Sequence, residues 1–151
     1  YKEIIDDMVF SAGFYSRAVN SLGDKDVRVS KRLFIPKSKL HGFEPGKVGP
    51  KDGADYVGGN YVTTFNTSTT VPYLLQTLEN IDLKVFFDAA NIWGVDYSSS
   101  IDDGSEIRSA FGAAVEVLTP VGPLSFSLSQ PITKASGDIT ETFRFQLGTT
   151  F

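Results

Sequence analysis

The chain holds one histidine, His41, and no cysteine. Nucleophile–base pairs and Cys/His metal sites therefore have little to draw on. Asp102-Asp103-Gly104 is acidic enough to suggest Ca²⁺, yet it lacks the ligand periodicity of a calcium loop and reads as a solvated turn. Gly42, Gly46, Gly49 and Gly53 are spaced as turn residues, with no helix behind them to complete a phosphate cradle. The residue types offer hydrogen bonding instead. An imidazole stands beside a glycine and an aromatic in Leu40-His41-Gly42-Phe43, and single charges recur at Arg17, Lys84, Asp88, Arg108, Glu116 and Arg144. No catalytic residue, metal or cofactor is expected, and the chain reads as a non-enzyme. A net charge of −4 argues against a nucleic-acid surface.

Those charges lie on segments that alternate apolar and polar. In residues 81–92, Ile81, Leu83, Val85, Phe87 and Ala89 share one face, while Asp82, Lys84, Phe86, Asp88 and Ala90 share the other. Residues 8–20 set Met8, Phe10, Ala12 and Phe14 against Ser11, Gly13, Tyr15 and Arg17. Residues 107–119 set Phe111, Ala113, Val115 and Val117 against Arg108, Gly112, Ala114 and Glu116. Residues 124–130 set Leu124, Phe126 and Leu128 against three serines, and residues 141–151 set Phe143, Phe145, Leu147 and Phe151 against Thr142, Arg144, Gln146 and Thr150. Period-2 alternation marks a strand whose two faces meet different surroundings. With the Thr-rich segment 60–71, this predicts an all-β fold, an antiparallel meander of six strands at about 8–20, 60–71, 81–92, 107–119, 124–130 and 141–151.

The connections suggest what those surroundings are. Pro120-Val121-Gly122-Pro123 is a tight turn, since proline fixes φ and glycine permits the reversal. Residues 21–59, 94–106 and 131–140 are long and polar, and 72–80 is of middling length. Short turns on one side and long loops on the other mark an outer-membrane barrel. Mean hydropathy of −0.06 does not oppose this, because roughly ten alternating residues span a bilayer and half of them are polar. The lone charges would be costly in a dry sandwich core but sit easily in a wet lumen. Six strands fall short of the usual minimum of eight for a closed spanning barrel. Tyr1 also opens the chain without a methionine, so the sequence reads as a fragment.

Several motifs in order resemble the BamA family of outer-membrane β-barrel assembly factors. Leu40-His41-Gly42-Phe43 stands where the family carries Val/Ile-Arg-Gly-Phe/Tyr. Val48-Gly49-Pro50 and Gly58-Gly59-Asn60-Tyr61 follow, and Phe86-Phe87-Asp88-Ala89-Ala90-Asn91-Ile92-Trp93 resembles the family's Phe-Asp-x-Gly-x-x-Trp strand. Thr119-Pro120-Val121-Gly122-Pro123-Leu124 and the terminal Gln146-Leu147-Gly148-Thr149-Thr150-Phe151 complete the set, the latter similar to the barrel C-terminal assembly signal.

The resemblance implies that the six strands are the C-terminal part of a sixteen-stranded transmembrane β-barrel in the bacterial outer membrane. Periplasmic domains and earlier strands would then be missing, and loop 21–59 would fold into the lumen. It implies a machine that folds and inserts barrel proteins through a lateral seam at the last strand, where Gln146, Gly148 and Phe151 form the signal. Implied partners are unfolded outer-membrane protein clients, assembly-complex lipoproteins reached through the missing domains, and the lipid bilayer. A related translocation or secretion barrel and a passive porin are the alternatives. The chain departs from the family where the loop arginine is His41 and where Ser68 replaces a second lumen acid. His41 cannot copy a guanidinium fork, but it can donate to Asp88, the implied lumen partner, and water-mediated reach is expected.

Overall fold

A computed structural model of the chain describes residues 2–5, 8–23, 25–72, 80–103 and 105–148, with residues 2–5 described in backbone only. The main sheet contains β1 (Lys2–Ile5), β2 (Met8–Ala18), β5 (Tyr61–Thr70), β6 (Ile81–Trp93), β7 (Arg108–Thr119), β8 (Gly122–Thr133) and β9 (Phe143–Leu147). All neighbours are antiparallel, in the order β1-β2-β5-β6-β7-β8-β9. The loop between β2 and β5 carries a single 3-10 turn, Val29–Lys31, and a small hairpin of β3 (Lys51–Asp52) and β4 (Asp55–Tyr56).

The six predicted strands are therefore present as a meander, and β1 adds a four-residue strand at the edge. It is too short for alternation to register in sequence. β8 runs to Thr133, past the expected end at residue 130. A register shift between Ser109 and Ala110 lies opposite Pro131, and such a bulge accommodates a residue with no N–H to give the ladder. Of the expected 141–151, β9 covers Phe143–Leu147 among the described residues, and residues 149–151, Phe151 among them, lie outside them. Most of the 72–80 connection, residues 73–79, also lies outside them.

Alternation decides what each face meets. Phe10, Phe14, Phe65, Phe87, Phe111, Phe126, Phe143 and Phe145 are exposed on one face. Asp88, Arg108, Glu116, Ser125, Ser127 and Arg144 are buried on the other. Residues between β2 and β5 cover the polar face. Leu33, Ile35, Leu40, Phe43 and Val48 of the loop pack on Val62, Ala90, Ile92 and Ala110 of the wall. Each such side chain contributes about 1.5–3 kcal/mol when fully buried, which offsets part of the cost of ordering so long a loop.

Small residues on the wall make room for this cover: Ala110, Gly112 and Ala114 on β7, and Ser125, Ser127 and Ser129 on β8. Phe86 is paired in register with Gly112, and its ring fills the space a Cβ would need, coming within 2.6 Å of that position. Pro120 starts the β7–β8 reversal and Gly122, at φ +118°, completes it.

Candidate functional site

The site is the loop turn at residues 37–43 and the wall groups that hold it. Gly42 has φ +83°, and a Cβ there would stand 2.9 Å from that of Ala110. Only glycine gives both the left-handed backbone and the close approach. The turn delivers His41 to Asp88 on β6. The His41 backbone N–H donates to Asp88 Oδ2 at 3.0 Å, and Nδ1 lies 2.6 Å from the same oxygen. The contact is direct, closer than the water-mediated reach expected. Both residues are buried, His41 at 2% and Asp88 at 3% exposure. The imidazole packs against the Phe86 ring at 4.7 Å between centroids, while Leu40 and Phe43 enter the core.

Sequence reasoning missed Asn66. It stands opposite Asp88 in register on β5, donates to Asp88 Oδ1 at 2.7 Å and donates to the Lys39 carbonyl at 2.8 Å. A neutral amide thus completes the carboxylate's acceptor set from the neighbouring strand. Ser68, two residues on, lines a polar cavity of about 470 Å³ together with His41, Asn66, Lys84 and Asp88.

Three guanidinium groups add further ties. Arg144 on β9 donates to the Lys37 and Leu40 carbonyls at 2.7 and 3.3 Å, to the Phe43 carbonyl, and to Glu141 at 2.8 Å. Arg108 on β7 pairs with Asp138 at 2.9 Å, and Asp138 also accepts from the Gly49 and Ala135 backbone N–H groups. Arg32 of the loop pairs with Asp96, beyond β6, donates to Asn60 and lies over the Tyr97 ring. Burial pushes the Asp96 carboxyl upward, but hydrogen bonds from the Val27 N–H, Asn60 and Arg32 together hold it below its ordinary value of 3.8. The lumen parity of Arg108 and Arg144 was readable from alternation, whereas their loop partners were not.

The C-terminal residues lie at the other end of β9. Gln146 faces inward opposite Ser125. Gly148 takes φ +75° and donates its N–H to the Pro123 carbonyl at 2.8 Å, with nothing within 4 Å of where a Cβ would be. Phe151 lies outside the described residues. Among the described residues no cluster of three or more His, Cys, Asp or Glu could hold a metal ion. The chemistry available is that of a scaffold: hydrogen bonds that fix a loop against a wall.

A sheet that is apolar on one face and polar on the other, with a long loop latched into the polar face, defines the wall of an outer-membrane β-barrel. The chain belongs to the Omp85 superfamily, whose domain matches residues 1–151. It is 31% identical over 139 residues to outer membrane protein assembly factor BamA of Neisseria meningitidis, covering 74% of this chain and 17% of that protein. It is 25% identical over 169 residues to the human sorting and assembly machinery component 50 homolog, covering 99% of this chain and 35% of that one. The crystal structure of BamA from Haemophilus ducreyi lacking POTRA domains 1–3 superposes with a TM-score of 0.79 at 29% identity, over 91% of this chain and 30% of that chain. The chain is thus a stretch of outer-membrane barrel, BamA-like in sequence and in fold, and spans well under half the length of these relatives.

Proposed function

We propose that this chain forms the C-terminal part of the barrel in a factor that folds and inserts other β-barrel proteins into the bacterial outer membrane. The observation that carries the reading is the weak hold on the last strand. Over the described residues β9 pairs with β8 at five positions, Leu124↔Leu147 to Leu128↔Phe143, extended by the Ser129 N–H on the Thr142 carbonyl and the Gly148 N–H on the Pro123 carbonyl, against eleven between β7 and β8. A client strand in hydrocarbon needs a backbone partner, because each unsatisfied N–H or C=O there costs several kcal/mol. A strand at such an edge is suited to release it and offer it, and the left-handed backbone at Gly148 favours a bend at that point. In this reading Gln146, Gly148 and Phe151 form the terminal signal. Leu40 to Phe43, held at Asp88, brace the wall from inside, and no enzymatic step is involved. Clients are unfolded outer-membrane proteins, and accessory lipoproteins bind through domains outside this sequence.

The test is reconstitution of the full-length protein into lipid vesicles, followed by addition of an unfolded, chaperone-held client barrel. Heat-modifiable, membrane-embedded client should form faster than in empty vesicles. No acceleration refutes the reading. Client recovered inside the vesicles without insertion would favour a translocation barrel of the same superfamily.

A further inference from the structure

The long loop and the last strand are joined along two routes. The first is Arg144. Its side chain is 6% exposed and its guanidinium gathers the carbonyls of Lys37, Leu40 and Phe43, with Glu141 on Nε. A planar cation with five donors is suited to collect carbonyls fanned around one turn, which an ammonium on a flexible stem does poorly. The second route is backbone pairing just before β9. Phe43 bridges Thr140, Glu44 N–H donates to the Ile139 carbonyl at 2.9 Å, and Ile139 N–H donates to Lys47 at 3.0 Å. Glu141 N–H donates to the Gly42 carbonyl at 3.0 Å. All these ties fall at or before Arg144. Past it, β9 continues on its ladder with β8, Phe145 opposite Phe126 and Leu147 opposite Leu124, and ends at the left-handed Gly148 in open surroundings.

We propose that Arg144 is a positioning residue that fastens the leading half of the last strand to the lumen loop, so that the strand parts from its neighbours only from its C-terminal end. Loop residues 40–47 and residues 139–144, which lead into and open β9, then move as one body, with Arg144 as the fulcrum. The inference rests on the proposed insertion activity for its use, but the mechanical coupling stands on geometry alone. It assigns the loop a role in limiting how far the seam opens.

Hydrogen exchange on the full-length protein in lipid nanodiscs tests the coupling. Peptides covering 145–148 should exchange about tenfold or more faster than those covering 139–144. In Arg144→Met, which keeps the side chain's length without its donors, the amides of Glu44, Ile139 and Glu141 should all accelerate by about tenfold or more. Amides of the β6–β7 ladder should not change, which shows the barrel is folded. Arg144→Lys should fall between the two. Equal rates across 139–148, or unchanged rates at those three amides in Arg144→Met, overturn the proposal.

A second variant covers the case in which Arg144→Met does not fold. Glu44→Cys with Ile139→Cys, at exposed positions facing each other next to the Phe43–Thr140 bridge, locks loop to strand with Arg144 intact. The oxidised protein should insert clients as well as the reduced one. Loss of insertion on oxidation, restored by reductant, means the loop must leave the strand, and the proposal fails. If the unaltered protein inserts no client at all, the functional reading fails while the exchange result still decides the coupling.

Discussion

Asp88→Ala would take away a carboxylate that three donors share, two of them fully buried. The His41 backbone N–H, the His41 ring nitrogen and the Asn66 amide reach it at 3.0, 2.6 and 2.7 Å. A buried donor left without its acceptor costs about 1–3 kcal/mol, and water entering the polar cavity beside Asp88 recovers part of that. A net loss of about 3–5 kcal/mol follows. It should fall on loop docking and not on the barrel, because the pairing of β6 with β5 and β7 uses backbone that the substitution leaves alone. Since 1.4 kcal/mol is a factor of ten, the undocked loop should become about a hundredfold or more commoner. Tryptic cleavage at Lys37, Lys39 and Lys47 of the full-length protein in outer-membrane vesicles reads that population, with heat-modifiable migration as the check on the barrel. Asp88→Asn, which keeps one acceptor oxygen, should lie between Ala and the unaltered protein. If Asp88→Ala is cleaved no faster than the unaltered protein while the barrel stays heat-modifiable, the latch does not hold the loop and the reasoning fails.

Gly42→Ala should undock the same turn at a cost of about 1–3 kcal/mol, since it opposes a φ of +83° and meets Ala110; the cleavage assay above would show it. Asp96, held below the ordinary carboxyl value of 3.8, contributes its stabilisation above that value and loses it as pH falls through the lower folded value. Exchange at the Val27 amide should therefore accelerate with acid below about pH 4 beyond the intrinsic rate, and Asp96→Asn should remove that acid dependence. Phe151→Ser and Gly148→Val should lower the yield of folded, heat-modifiable full-length protein more than the melting temperature of what folds. A fall in melting temperature at unchanged yield would make the terminal motif packing and not a signal.

Strand parity was the most legible property of the sequence. Wherever a phenylalanine alternated with a charge or serine, as at Phe87–Asp88 or Phe126–Ser127, the two residues could be assigned to opposite faces, and the coordinates place them so. Parity states a face but not a partner. Arg144 was visible as an inward cation, yet three of its four acceptors are backbone carbonyls, which no residue type advertises. Asn66 was hidden in a Thr-rich strand whose polar residues look alike until register sets one opposite Asp88. Proline at 131 read as a strand end because the bulge that tolerates it, with Ile132 as the extra residue on β8, exists only once β7 is set opposite. β1 is too short to show a period.

Part of the seat of the loop is built from residues made long after the loop itself. Arg144 lies 101 to 107 positions downstream of the carbonyls it holds, and Asp138 lies 89 beyond Gly49. Contacts of such sequence separation form late, because a long chain must be ordered before they reward it. The hydrophobic residues of the loop, Leu40 and Phe43 among them, find Val62, Ala90, Ile92 and Ala110 once β5, β6 and β7 are made, but the carbonyls of the turn must wait for Arg144. Once β9 arrives its guanidinium gathers those carbonyls, so the final seating of the turn serves as the molecule's own record that β9 is in place.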